Sequence, residues 1–337
     1  MKDPSKQAKV LFFDSKPYDI ESFRRIENGL SFDFLEVKLN PHTASLAKGY
    51  EAVCIFVHDQ ACAETLKILK GGGTKLIALR CAGYNNVALR AASELGIQVV
   101  RVPEYSPYAV AEHAAALIMT LNRKTHRAYA RVRENNFSLN GLLGFDMHGK
   151  VVGIVGTGKI GQVMIRIMKG FGCEVLAFDL YPNVQSASEQ GFKYVSFEEI
   201  CERSDIISLH LPLTKETRHL INSASIEKMK DGVILINTSR GSLIDTVALI
   251  QALKSQKIKA AGLDVYEEED AYFFEDFSGD IVQDDVLARL MSFNNVIITS
   301  HQAFFTEEAL SNIAQTTVYN VQEYFQQSPK LTNQVKT

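Results

Sequence analysis

The chain has no run of about 18 apolar residues anywhere in its 337 positions, which excludes a hydrophobic membrane-spanning helix. Its first residues, Met1-Lys2-Asp3-Pro4-Ser5-Lys6-Gln7, lack the apolar core of a secretory signal. Cysteine is sparse: Cys54, Cys62, Cys81, Cys173 and Cys201 form no CxxC pair, so free thiols in a reducing compartment are expected, and no metal site. Neither sign of charge prevails, with 36 Lys and Arg against 39 Asp and Glu and a formal net charge of -3. Such a balance exerts no global attraction on nucleic acid or an anionic membrane. The local basic stretch, Arg123 to Arg133, reads as one face of a long helix. A cytoplasmic protein with no nucleic-acid and no membrane partner is therefore expected. No solenoid repeat or low-complexity linker divides the chain.

What is present is the composition of a globular protein, 46% apolar and 22% charged, at a length that suits two domains with separate cores. Short apolar runs at Lys9 to Phe13, Phe34 to Leu39, Ala52 to Val57, Lys75 to Leu79 and Gln98 to Val102 read as buried strands. Helical patterns lie between them, as at Cys62 to Lys70 and Asn86 to Leu95. A second series of strands follows Lys150: Val151 to Val155, Glu174 to Phe178, Asp205 to Leu209, Val233 to Ile236, Ala261 to Asp264 and Val296 to Thr299. This βαβ wiring predicts an α/β fold of two doubly wound parallel-sheet domains. Pro107 to Glu134 reads as one long helix crossing between them, and Glu307 to Gln326 as a helix returning to the first. The expected division is 1–104 with 304–337 for a discontinuous substrate domain, and 105–303 for a cofactor domain. Paired crossings near Tyr105 and Ala303 predict a hinge, with the active site in the cleft it closes.

Gly156-Thr157-Gly158-Lys159-Ile160-Gly161 stands where the strand Val151 to Val155 turns into a helix, which is the context a dinucleotide-binding GxGxxG requires. Gly156 permits the tight turn, Gly158 lets backbone approach a pyrophosphate, and Gly161 allows close packing of helix on strand. Asp179 ends the next strand, 18 positions beyond Gly161 (161 to 179). A carboxylate there accepts hydrogen bonds from ribose hydroxyls and repels a 2'-phosphate, and Leu180-Tyr181-Pro182 offers no arginine to offset the repulsion. NAD is expected over NADP.

Three charged groups lie just past predicted strand ends, where open α/β sheets bind ligands. Arg240 suits a carboxylate through its planar fork, although an arginine there also fits a surface ion pair. His301 suits proton transfer near neutrality, although a buried, hydrogen-bonded imidazole fits the same spacing. A carboxylate on its other ring nitrogen would favour the imidazolium and fix its orientation. Glu267, Glu268, Glu269 and Asp270 form an acidic run from which composition cannot choose.

Several motifs resemble one family in sequence and order. They are Leu79-Arg80-Cys81-Ala82-Gly83-Tyr84-Asn85-Asn86-Val87, Val102-Pro103-Glu104-Tyr105-Ser106-Pro107, Gly156 to Gly161, Ser208-Leu209-His210-Leu211-Pro212-Leu213-Thr214, Asn237-Thr238-Ser239-Arg240-Gly241 and Thr299-Ser300-His301-Gln302-Ala303-Phe304. Together they resemble the D-isomer-specific 2-hydroxyacid dehydrogenases, and most closely the fermentative D-lactate branch of bacteria. The resemblance runs from Lys9 to about Gln326. It implies a flavodoxin-like substrate domain, a Rossmann NAD domain, and NADH-dependent reduction of pyruvate to D-lactate. It also implies that Arg240 holds the substrate carboxylate and carbonyl, that His301 is the acid/base, and that Glu269, last in Tyr266-Glu267-Glu268-Glu269, is its partner. Thr238 and Asp264 would face the nicotinamide, with Lys159, Ile160, His210, Leu211 and Pro212 beside the cofactor. Ala82 and Gly83 would offer backbone N–H groups to the carboxylate, and Tyr105 and Phe304 would close the side-chain pocket. A homo-oligomer is implied too: a dimer through the NAD domains, or its doubling to a tetramer. A branched-chain 2-hydroxyacid dehydrogenase is the main alternative, and a non-enzymatic NAD-responsive binding protein a remote one.

Overall fold

The computed structural model describes residues 8–26, 29–326 and 330–336. The chain divides into two compact units, one taking the described residues up to Ser106 and from Phe305 onward, the other Pro107 to Phe304. These divisions fall two residues and one residue beyond the expected boundaries.

The first unit is built on five parallel strands, β1 (Lys9–Phe12), β2 (Ser31–Phe34), β3 (Ala52–Ile55), β4 (Leu76–Leu79) and β5 (Gln98–Arg101), in the order β2-β1-β3-β4-β5. That is the flavodoxin-like order. Strands β3 and β4 are buried along their whole length, as a sheet covered on both faces requires. One expected strand is misplaced: Phe34 to Leu39 was the predicted span, and β2 ends where that span begins. The alternation Phe32-Asp33-Phe34 is the stronger signal, because it puts two rings on one face, where they pack 5.3 and 4.8 Å from the Phe12 ring. The helix Glu307–Phe325, capped by Thr306 Oγ1 on the Ala309 amide, lays Ala314, Val318 and Val321 into the core formed by Val10, Phe12 and Val100. It thus packs on a sheet some 200 residues earlier in the chain.

The second unit continues the strand series with β6 (Val151–Val155), β7 (Glu174–Phe178), β8 (Lys193–Tyr194), β9 (Ile206–Leu209), β10 (Val233–Asn237), β11 (Ile258–Leu263) and β12 (Val296–Ile298). All pair in parallel in the order β12-β11-β10-β9-β6-β7-β8, a Rossmann sheet extended by one strand. The two-residue β8 leaves no apolar run for sequence reading to find.

The predicted helix from Pro107 to Glu134 is two helices, Pro107–Arg123 and Thr125–Arg133, separated by Lys124 at φ 51°. Tertiary hydrogen bonds account for the break. Asn122 pairs both ways with the Phe145 backbone at 2.8 Å, and Lys124 Nζ donates to the Leu143 carbonyl at 2.6 Å. The first helix buries Leu117, Ile118 and Leu121 against the sheet, and Gly262 in β11 admits that approach, since a Cβ there would stand 3.1 Å from Leu117 Cβ. The second helix buries none of its residues. No helix among the described residues is long and apolar enough to cross a membrane.

Candidate active site

Strand β6 ends at Val155, and the helix Lys159–Gly170 starts after a three-residue turn. Gly156 has φ +97°, and a Cβ on it would stand 2.4 Å from the His210 carbonyl oxygen and 3.0 Å from Leu211 Cδ2. A Cβ on Gly161 would stand 2.0 Å from the Gly156 carbonyl oxygen. Both glycines are therefore required by the fold itself. Gly158 is different: a Cβ there would meet nothing within 4 Å. Its helix has no side-chain cap, so the first-turn N–H groups remain available for an anion. Lys159 opens this helix on the exposed side, and Ile160 packs partly into the core.

Asp179 directly follows β7 and is tied to the glycine turn. Its Oδ2 accepts from the Thr157 amide at 2.6 Å and from Thr157 Oγ1 at 2.9 Å, while Oδ1 accepts from the Tyr181 amide. Burial works against its charge, but these donors prevail and hold the carboxyl below the ordinary carboxylate range. Asp179 thus fastens the glycine turn, a role that spacing did not reveal.

His210, Leu211 and Pro212 follow β9. His210 Nε2 meets Ser208 Oγ at 2.9 Å, and burial pushes the imidazole down to about 4. His210 Nδ1 and Thr238 Oγ1 are buried polar atoms without a hydrogen-bond partner. Such atoms are costly unless something bonds them. Two orphaned polar atoms, the open space at Gly158 and the uncapped helix N-terminus together fit a dinucleotide.

Strands β10, β11 and β12 are neighbours, so the segments after them share one edge of the sheet. Arg240 follows β10 in a loop pinned by Asn237, whose Nδ2 donates to the Arg240 carbonyl and whose Oδ1 accepts from the Ser239 amide. The guanidinium donates to the Ser239 carbonyl and pairs with no carboxylate among the described residues. Gly241 lets this loop touch the one after β11: a Cβ would stand 2.1 Å from the Tyr266 carbonyl carbon and 2.4 Å from the Glu267 amide nitrogen.

The acidic run resolves into distinct duties. Glu267 accepts from Thr246 and meets His219 Nε2 at 2.7 Å, which ties the loop after β11 to the segments after β10 and β9. Glu269 Oε1 lies 2.7 Å from His301 Nδ1, and its Oε2 accepts from the Tyr266 amide. His301 sits at φ +49°, a left-handed conformation that needs support from its surroundings. That support comes from the fully buried Asp264. Its carbonyl accepts from the His301 amide, and its carboxylate accepts from the Gln302 and Ala303 amides and from Thr299 Oγ1. His113 joins from the Pro107–Arg123 helix, with Nε2 2.9 Å from Thr299 Oγ1. Sequence reading missed Asn237 and His113 as supports, since their partners lie on other elements and leave no local signature.

Phe304 is buried, its ring 6.4 Å from that of Phe274. Ala82, Gly83 and Tyr105 belong to the first unit. The amides of Ala82 and Gly83 donate to no group among the described residues, while the Ala82 carbonyl accepts from Arg101 at 2.7 Å. The Tyr105 carbonyl accepts from Asn312 at 2.6 Å.

Residues 115–303 match the profile of the D-isomer specific 2-hydroxyacid dehydrogenase, NAD binding domain. The chain is 54% identical over 315 residues to a D-lactate dehydrogenase of Escherichia coli (strain K12), covering 93% of this chain and 95% of that relative. Among solved structures, the pyruvate reductase of Chlamydomonas reinhardtii aligns with a TM-score of 0.90 at 46% identity, over 97% of this chain and 98% of that one. An apo structure of D-lactate dehydrogenase from Escherichia coli aligns with a TM-score of 0.89 at 49% identity, over 97% and 100%.

Proposed function

The chain belongs to the D-isomer specific 2-hydroxyacid dehydrogenases, oxidoreductases with NAD as cofactor, and we propose that its reaction is the reversible reduction of pyruvate to D-lactate. The observation that carries this reading is the pair His301 Nδ1 to Glu269 Oε1 at 2.7 Å, on the same sheet edge as an arginine with no carboxylate partner. Glu269 holds the imidazolium through Nδ1 and turns Nε2 toward substrate, where it gives its proton to the keto oxygen. Arg240 binds the carboxylate and polarises the carbonyl. Gly156 to Gly161, Asp179, His210 to Pro212, Thr238 and Asp264 hold the cofactor. When bound, NADH supplies the hydride. Phe304 restricts the side-chain pocket to a small group.

Purified protein tests the reading directly: NADH oxidation with pyruvate, 2-oxobutyrate and 2-oxoisocaproate, followed by chiral analysis of the product. The highest kcat/KM for pyruvate and a D product are expected. A preference for 2-oxoisocaproate would make it a branched-chain enzyme, and no turnover of any of the three would overturn the assignment.

We also propose a cytoplasmic dimer formed through the second unit. The helix Thr125–Arg133 and the segment after it expose the apolar side chains of Tyr129, Phe137, Leu139 and Leu143. Light scattering at a single-chain mass would refute it.

A further inference from the structure

The opposite edge of the second sheet carries a cavity of about 700 Å³ that the reaction does not use. Its walls include Gly232 just before β10, Lys259 and Ala260 near the start of β11, and Asn294 and Asn295 just before β12. It therefore lies at the amino ends of the strands whose carboxyl ends bear Arg240, Asp264 and His301, a full strand length away. Six basic side chains line it, Lys124, His126, Arg127, Lys254, Lys259 and Arg289, and no acidic one does. None of the six pairs with a carboxylate among the described residues; Asp231, next to the lining Gly232, is bound by Lys257 at 2.8 Å. The helix Thr125–Arg133 starts at this wall without a side-chain cap, and with Leu143 it also belongs to the surface assigned above to the dimer, so the cavity borders that interface. Burial and the neighbouring charges of Lys259 and Arg127 lower the Lys124 ammonium from its usual value, as expected where like charges meet without a counter-ion.

We propose that this cavity is a binding site for a small polyanion, an organic phosphate or a polycarboxylate, distinct from the cofactor and substrate sites. Lys124, Lys259 and Arg127 meet here without an acid, and a ligand with two or more negative charges offsets their like charges. The Phe145 and Phe293 rings in the wall lie under Lys259 and Arg289, at 5.8 and 4.7 Å, and hold these two cations at the cavity.

Calorimetric titration of the intact protein with pyrophosphate and with citrate, at constant ionic strength and saturating NADH so that the glycine turn is filled, tests this. One site per chain is expected, with the unfolding temperature raised by about 5 °C at a hundredfold excess over Kd. Acetate and matched KCl should give neither effect. Binding of pyrophosphate alone would identify the ligand as a phosphate compound, and binding of both as any polyanion of this size. Arg127→Gln with Lys254→Gln should weaken binding at least tenfold and leave kcat/KM for pyruvate unchanged. Absence of binding, or binding untouched by these substitutions, overturns the proposal. Loss of the oligomer in Lys254→Glu, with no polyanion bound by the unsubstituted protein, overturns it in favour of a second copy's carboxylates filling the cavity.

Discussion

Each of the two sheets has an arginine just beyond the carboxyl end of a strand, and the two arginines are used in opposite ways. Arg80 follows β4 in the first unit and is 1% exposed. Its guanidinium donates to the Phe13 and Asp14 carbonyls at 3.0 and 2.6 Å, pairs with Asp19 at 3.4 Å, and stacks 4.8 Å over Phe56. Around it burial pushes the Asp59 carboxyl up to about 7 against the pull of that same guanidinium. Arg240 follows β10, stays partly exposed, and its guanidinium binds only the Ser239 carbonyl among the described residues. An arginine at a strand end is thus a candidate for ligand binding only when its fork is not already occupied. Strand-end position alone does not distinguish the two.

The contrast can be broken by substitution. The largest effect is expected on the Arg240 side of the comparison, in the acid/base pair: His301→Asn should lower kcat by about 10³ to 10⁴-fold while NADH affinity, followed by fluorescence titration, stays unchanged. Retained turnover would mean that another group delivers the proton. Arg80→Met should leave Asp19 buried without its counter-charge, lowering stability by about 3–5 kcal/mol in urea unfolding. Arg240→Gln should do the reverse, reducing kcat/KM for pyruvate by roughly 10² to 10³-fold, through a raised KM and a lowered kcat, with the urea midpoint unmoved. If Arg80 proved kinetic and Arg240 structural, the comparison would fail.

Two smaller effects sharpen it within the second unit. The folded His210 is held near 4, below its ordinary 6.5, so the unfolded chain binds the proton first as pH falls. Stability from this residue is complete above about pH 6.5 and is lost as pH falls toward about 4, by roughly 3 kcal/mol in total. Urea midpoints between pH 7 and 4.5 should show that slope, and His210→Gln should flatten it. Asp179→Asn should narrow the kcat/KM preference for NADH over NADPH by about tenfold, since only the repulsion of a 2'-phosphate is removed. An unaltered ratio would leave Asp179 with its Thr157 tether alone.

Much of the site was legible in the chain because its determinants are local. The glycine turn is one example: the turn, the helix entry and the packing of Gly161 on Gly156 all occur within six residues. The break at Lys124 was not legible, since it depends on Asn122 and Lys124 meeting residues 143 and 145. Nor was the support of His301, which draws on Asp264, Thr299 and, far back in the chain, His113. The basic cavity was equally hidden. Its cations come from four separate stretches, only one of which, Arg123 to Arg133, stood out in the sequence, and there as a solvated face.

Apolar periodicity, glycine positions and strand-end charges determined, without any tertiary information, that the chain builds two parallel sheets and carries a GxGxxG turn between β6 and its helix. What tertiary structure decided was which of many similar charges are free. Among four adjacent acids it paired Glu269 with His301 and committed Glu267 to His219 and Thr246; between two strand-end arginines it buried Arg80 and left Arg240 open. The physical reason is that backbone conformation follows from neighbours a few residues away, whereas the partner of a charge depends on which loops the strand order brings to the same edge.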